Sequence, residues 1–157
     1  MRPINHVSVS IITGVVAYLS TKTISSGIAC FLIGWLVDID HIWDYYRNGC
    51  KGFSVKRFLD AADDGKIKKS YLYFHSYEVL AVLVIFCFVT HFNYLLSFIV
   101  VGFATHLFFD QIFNLSHPYA YFITFRMFHD YNAEIIFKQN RHVKLPIERE
   151  EIKETKE

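Results

Sequence analysis

Charged residues are scarce in this sequence. Asp, Glu, Lys and Arg make up 20% of the 157 residues, against 53% hydrophobic and 18% aromatic. That balance excludes a disordered chain, which needs low hydrophobicity and high charge. It also lies on the apolar side of the usual soluble domain. Neither sign of charge dominates: the formal net charge is +1, so nothing global points to nucleic acid, which requires a basic face or stripe. Cysteine is nearly missing. Cys30, Cys50 and Cys87 are scattered with no Cys-x-x-Cys pair, which excludes a disulfide framework and argues against a closed structural zinc site. Two of the three lie in apolar runs and read as small core residues in a reducing or lipid setting. Internal repeats and low-complexity segments are also lacking, and the length fits one domain.

What the chain has is long apolar runs. Ile4–Ser20, Thr23–Val37 and Val79–Phe109 contain no Asp, Glu, Lys or Arg. A bilayer core about 30 Å thick needs about 20 mainly apolar residues. The runs Ile4–Ser20, Thr23–His41, Tyr71–Thr90 and Leu95–Phe113 approach that length and predict four transmembrane helices. The aromatic-rich stretch Leu115–Phe137, with Arg126, predicts an interfacial helix or a re-entrant piece packed on them. The expected fold is therefore all-α: a multi-pass membrane bundle of about four helices plus an interfacial helix over residues 1–137. Residues 42–70 form a loop, and 138–157 form a charged, solvated tail. A soluble bundle with unusually apolar helices is the alternative. The first run has only Arg2 as a charged leader and no small-x-small cleavage site before Lys22, so it is expected to stay as a mature helix.

Lys and Arg mark cytoplasmic loops. In an up-and-down bundle of four, only Lys22 of the 16 Lys and Arg residues falls on the far side. Both termini and the 42–70 loop are expected to be cytoplasmic.

Ionisable side chains at membrane depth are costly, so each is first read as functional. His6 starts helix 1, Asp38, Asp40 and His41 end helix 2, His75 and Glu78 start helix 3, and His106 and Asp110 end helix 4. Start, end, start and end all lie at one face of such a bundle. His106 and Asp110 are one turn apart on one face, and the pairs Asp38/His41 and His75/Glu78 have i, i+3 spacing. Bundles build metal sites from inward-projecting pairs of this kind. Mixed imidazole and carboxylate ligation suits a divalent transition metal, with zinc first and manganese or iron as alternatives. The expected ligands are His6, Asp38, His41, His75, His106 and Asp110. Asp40 or Glu78 would be a general base, which must reach the attacking water by a hydrogen bond. Blander roles exist: His6 as an interfacial residue, Glu78 paired with a lysine of Lys66–Lys69, and Asp40 turned along the surface toward Asp44. His91 reads as a structural turn residue, and His117, His129 and His142 fall outside the convergent set.

The order His6, then Leu36-Val37-Asp38-Ile39-Asp40-His41, then His75-Ser76, then His106-Leu107-Phe108-Phe109-Asp110 resembles the predicted membrane-bound, metal-dependent hydrolases of bacterial inner membranes. That family carries an early His, Leu-Pro-Asp-Ile-Asp-His, His-Arg-Gly-x-Thr-His-Ser and a later His-x-x-x-Asp. The later motif is also distantly similar to zinc-dependent phospholipase C. The likeness covers about residues 1–120. Val37 replaces the family's Pro, and Ser70–Ser76 lacks the first His and the Arg of the third block. The resemblance implies a bacterial inner-membrane protein that hydrolyses a phosphoester, or a lipid-like amphiphilic phosphate, by metal-activated water. The other readings are a non-enzymatic metal- or haem-binding membrane protein, with His75 and His106 as axial ligands, and a small ion-handling membrane protein. The oligomeric state is not legible.

Overall fold

The computed structural model describes residues 3–63, 67–114 and 116–137, and every regular element among them is a helix. In chain order these are α1 (Pro3–Thr21), α2 (Ile24–Leu36), α3 (Ile39–Arg47), α4 (Val55–Asp63), α5 (Tyr77–Val89), α6 (Tyr94–Phe113), α7 (Ile123–Phe128) and α8 (Ala133–Ile136). The tail from Lys138 onward lies outside the described residues.

α1 and α2 form a hairpin closed at Lys22, which takes a left-handed φ of 58°. Their contact is made by small residues. A Cβ on Gly14 would lie 2.8 Å from the Gly27 carbonyl oxygen, and one on Gly27 would lie 2.9 Å from that of Gly14. Close approach of the two backbones at these small residues supplies the van der Waals packing of the hairpin. α6 seats against α2 in the same way: Gly102 lies over Cys30 and Ile33. α5 and α6 make the second hairpin through His91 and Phe92, both with positive φ, so His91 is a turn residue as expected.

α2 passes into α3 almost without interruption. At the junction the amides of Asp38, Asp40 and His41 bond to carbonyls three residues back, those of Trp35, Val37 and Asp38, a local tightening of the helix. The helix runs on to Arg47, beyond the expected end at His41, and α4 adds order to the expected 42–70 loop.

Among the described residues, two runs are long and apolar enough to cross a membrane, Ile24–Arg47 and Tyr94–Phe113. The third expected span is shorter than the apolar run suggested. Residues 71–76 are irregular, and α5 starts at Tyr77 with the Ser76 hydroxyl accepting from the Val79 amide at 3.1 Å. Carboxylates of α3 hold the amides of Tyr71, Phe74 and His75, and those bonds fix this stretch in a non-helical path. His75 and Glu78 therefore do not share a helix face: one precedes the N-cap and the other lies in the first turn. At 13 residues, α5 is about 20 Å long at 1.5 Å per residue. It is apolar all round, and Val82, Ile85, Phe88 and Val89 are exposed. Contiguous exposed apolar surface of this kind marks a lipid or partner contact.

The segment expected as an interfacial helix or a re-entrant piece contains two short helices, α7 and α8. Pro118 lies in the turn at 118–121, and Asp130 and Tyr131 have positive φ in the turn before α8, so the chain doubles back and the His117 amide donates to the Ile136 carbonyl at 2.8 Å. This segment closes the core. Ala120, Tyr121 and Ile136 pack with Val37, Phe103 and Leu107.

Candidate metal centre

The hairpin geometry brings His6, Asp38, His75, His106 and Asp110 together at one end of α1, α2 and α6, with His41 at the edge. His75 is fully buried, and His6, His106 and Asp110 are nearly so. The exposed edge is formed by Asp38 and His41, whose side chains are 23% and 39% accessible. Ligand atoms lie within 4.8 Å of one another in two groups of three: His6, His106 and Asp110, and Asp38, His41 and His75.

At the heart of the cluster two imidazole nitrogens face each other. His75 Nε2 and His106 Nε2 are 3.1 Å apart. His106 Nδ1 is 2.7 Å from the Gly34 carbonyl oxygen, which only accepts, so Nδ1 carries the proton and Nε2 presents a lone pair. His75 Nδ1 lies 3.4 Å from Asp40 Oδ2 and its Nε2 lies 3.3 Å from Asp38 Oδ1, so Asp40 favours the same tautomer wherever a cation takes the place of a proton on Nε2. Two lone pairs at this separation repel unless a cation or a shared proton lies between them.

Two carboxylate oxygens complete the set. Asp38 Oδ1 is 3.3 Å from His75 Nε2 and 3.6 Å from His106 Nε2. Asp110 Oδ2 is 3.6 and 3.4 Å from the same two atoms. A tetrahedral ion with bonds of about 2.0–2.1 Å has ligands about 3.3 Å apart, so these separations match its edges. His6 reaches the other oxygen of each carboxylate: Nε2 is 3.3 Å from Asp110 Oδ1 and Nδ1 is 3.7 Å from Asp38 Oδ2. His41 Nε2 is 3.8 Å from Asp38 Oδ1. The donor set fits a divalent transition metal. Asp38, Asp40 and Asp110 put three carboxylates beside the imidazoles, and either a bound cation or shared protons would balance that charge.

The two residues expected as bases sit differently from the ligands. Asp40 Oδ2 accepts from the amides of Phe74 and His75 as well as facing the His75 ring, so it stands behind a ligand, where it fixes ring orientation and tautomer. Glu78 caps α7: its oxygens accept from the Ile123 amide at 3.0 Å and from the Thr124 amide and hydroxyl at 3.1 and 3.0 Å. No hydrogen bond or ion pair joins it to the cluster among the described residues.

Sequence reasoning missed Asp44 and Asn48. With Asp40 they form an i, i+4, i+8 stripe on α3 that binds the 68–75 segment by its backbone. Asp44 Oδ2 accepts from the Tyr71 amide at 2.8 Å, and Asn48 Oδ1 accepts from the amides of Lys68 and Lys69, each at 2.9 Å. The spacing was a readable signal for one polar helix face. His117 stacks on Phe125 and His129 packs against it at a tilt, and His142 lies outside the described residues.

Comparison with family models, characterised proteins and solved structures finds no match to this chain.

Proposed function

We propose that this protein is an integral membrane, metal-dependent hydrolase acting on a phosphoester or a lipid-like amphiphilic phosphate. The observation that carries the reading is the pair of facing Nε2 atoms, His75 and His106, held in one tautomer from behind and flanked by Asp38 and Asp110 at tetrahedral-edge distances. The resemblance in motif order to membrane-bound metal-dependent hydrolases supports the same assignment. An ion bound there would supply the chemistry of a metal-activated water near neutral pH. His75, His106, Asp38 and Asp110 would hold it, with His6 and His41 completing or flanking the set and Asp40 orienting His75. The exposed Asp38–His41 edge is where substrate would enter. A haem reading fits less well, because three of the side chains gathered here, Asp38, Asp40 and Asp110, are carboxylates that axial ligation of a haem does not use. Ion passage fits less well too, because the cluster gathers at one end of the helices.

The test is hydrolysis of aryl phosphate monoesters and diesters and of short-chain phospholipids by detergent-purified protein. Activity is expected with zinc or manganese, abolished by chelation and restored by the metal. A metal-loaded wild type that turns over none of these substrates would end the hydrolase assignment.

The reading includes four membrane-crossing segments, α1, α2–α3, α5 and α6, with both termini cytoplasmic. The 15-to-1 division of Lys and Arg supports that orientation. Reporter fusions after residue 22 and after residue 140 are expected to report opposite sides. The same side for both would refute the four-span arrangement.

A further inference from the structure

Arg126, on α7, is the most costly side chain in the molecule. It is fully buried, and none of its Nε, Nη1 or Nη2 atoms has a hydrogen-bond partner among the described residues. A guanidinium carries five N–H donors, and leaving a buried charged donor unmade forfeits more than a neutral one does. Burial pulls its pKa below the ordinary arginine range, while Glu78, Asp40 and Asp44 oppose that by their charge.

Those three carboxylates are neighbours but not partners. Glu78 is occupied by the α7 amides, Asp40 by the amides of Phe74 and His75, and Asp44 Oδ2 by the Tyr71 amide and the Ser70 hydroxyl. The fork of Arg126 is thus left with positive charge and donors that make no hydrogen bond among the described residues, and Asp44 Oδ1 is a buried acceptor that likewise makes none. The guanidinium lies near Asp40, whose other neighbour is the His75 ring of the metal centre. A planar guanidinium matches two oxygens of one tetrahedral oxyanion in a bidentate pair.

We propose that Arg126 is the seat of a phosphate oxyanion beside the metal centre, which makes the substrate an ester of phosphoric acid. As a statement about substrate this rests on the hydrolase reading; as a phosphate site it stands alone. Because the guanidinium is covered, an anion reaches it only as the six-residue α7 shifts outward.

The experiment uses the full chain in detergent, metal-loaded and chelated, titrated with inorganic phosphate and separately with dihexanoyl phosphatidic acid by calorimetry. Wild type is expected to bind phosphate, and Arg126→Gln to weaken binding by about 10–100-fold. Arg126→Lys should retain part of the affinity, and the metal content of both variants should be unchanged. Phosphatidic acid binding at least about tenfold tighter than phosphate, with the same dependence on Arg126, assigns the anion to a lipid headgroup; equal affinities assign it to a free phosphate group. Wild-type affinity in Arg126→Gln, or no binding of either probe by wild type, overturns the proposal and leaves Arg126 as a counter-charge to its carboxylates. If Arg126→Gln does not fold, thermal unfolding of wild type decides: a phosphate-dependent rise in Tm supports the site and its absence overturns it. A wild type without metal that still binds phosphate through Arg126 removes the hydrolase reading and keeps this one.

Discussion

Replacing His106 with alanine is expected to empty the protein of its metal. Wild type purified in detergent should retain a divalent transition ion close to stoichiometrically, whereas His106→Ala and Asp110→Ala should retain little, by elemental analysis. The two side chains are neighbours on one face of α6, with His106 Nε2 3.4 Å from Asp110 Oδ2. His106 is also tied from behind to the Gly34 carbonyl, so it presents its lone pair without first having to be ordered. Losing either removes a donor from the group His6, His106 and Asp110, whose ligand atoms lie within 4.8 Å of one another, and a two-donor remnant would hold metal far less tightly. Asp40→Asn should act more mildly. It leaves every ligand in place but removes the charge that orients His75, and outer partners of this kind typically contribute about 10–100-fold in metal affinity or activity. His129→Ala, which alters only a contact with Phe125, should retain full metal content. Equal metal content in all four variants would show that the cluster is a proton-sharing polar network and not a metal centre.

Gly102→Val is expected to cause the largest loss of stability of any single substitution in α6. A Cβ at that position would lie 2.5 Å from Ile33 Cγ2, 2.7 Å from the Cys30 carbonyl oxygen and 3.0 Å from Cys30 Cα. Two of those three atoms are backbone of α2 and cannot rotate aside, so the helices must separate. Overpacking costs about 1–3 kcal/mol for modest additions. A branched side chain against rigid backbone should exceed that range, with Gly102→Ala falling within it. The centre would feel the same displacement, because Gly102 is one turn before His106 and the His106–Gly34 bond spans the α2–α6 contact. Thermal unfolding and metal content should therefore fall together, while Val101→Leu, at an exposed position, should leave both unchanged. A wild-type Tm for Gly102→Val would mean that α2 and α6 do not pack as described.

The sequence alone determined which residues meet. Apolar run lengths and the placement of His6, Asp38, His41, His75, His106 and Asp110 at alternating helix starts and ends are local properties, and antiparallel hairpins convert them into one shared end whatever the details of packing. The all-helical architecture was legible for the same reason. The tertiary structure decided what each carboxylate does. Asp40 and Glu78 look alike in sequence as spare acids near ligands, yet one is bound to amides 34 and 35 residues away and the other to amides 45 and 46 residues away. Which amide lies opposite a carboxylate depends on how distant segments cross, and no local periodicity encodes that. The start of α5 was hidden in the same way. Tyr71–Ser76 is apolar enough to extend the helix, but bonding its amides to Asp40 and Asp44 on α3 keeps it irregular and delivers His75 to the centre from a loop. The burial of Arg126 was equally invisible, because a lone arginine among aromatics reads as interfacial until the fold covers it near Glu78, Asp40 and Asp44.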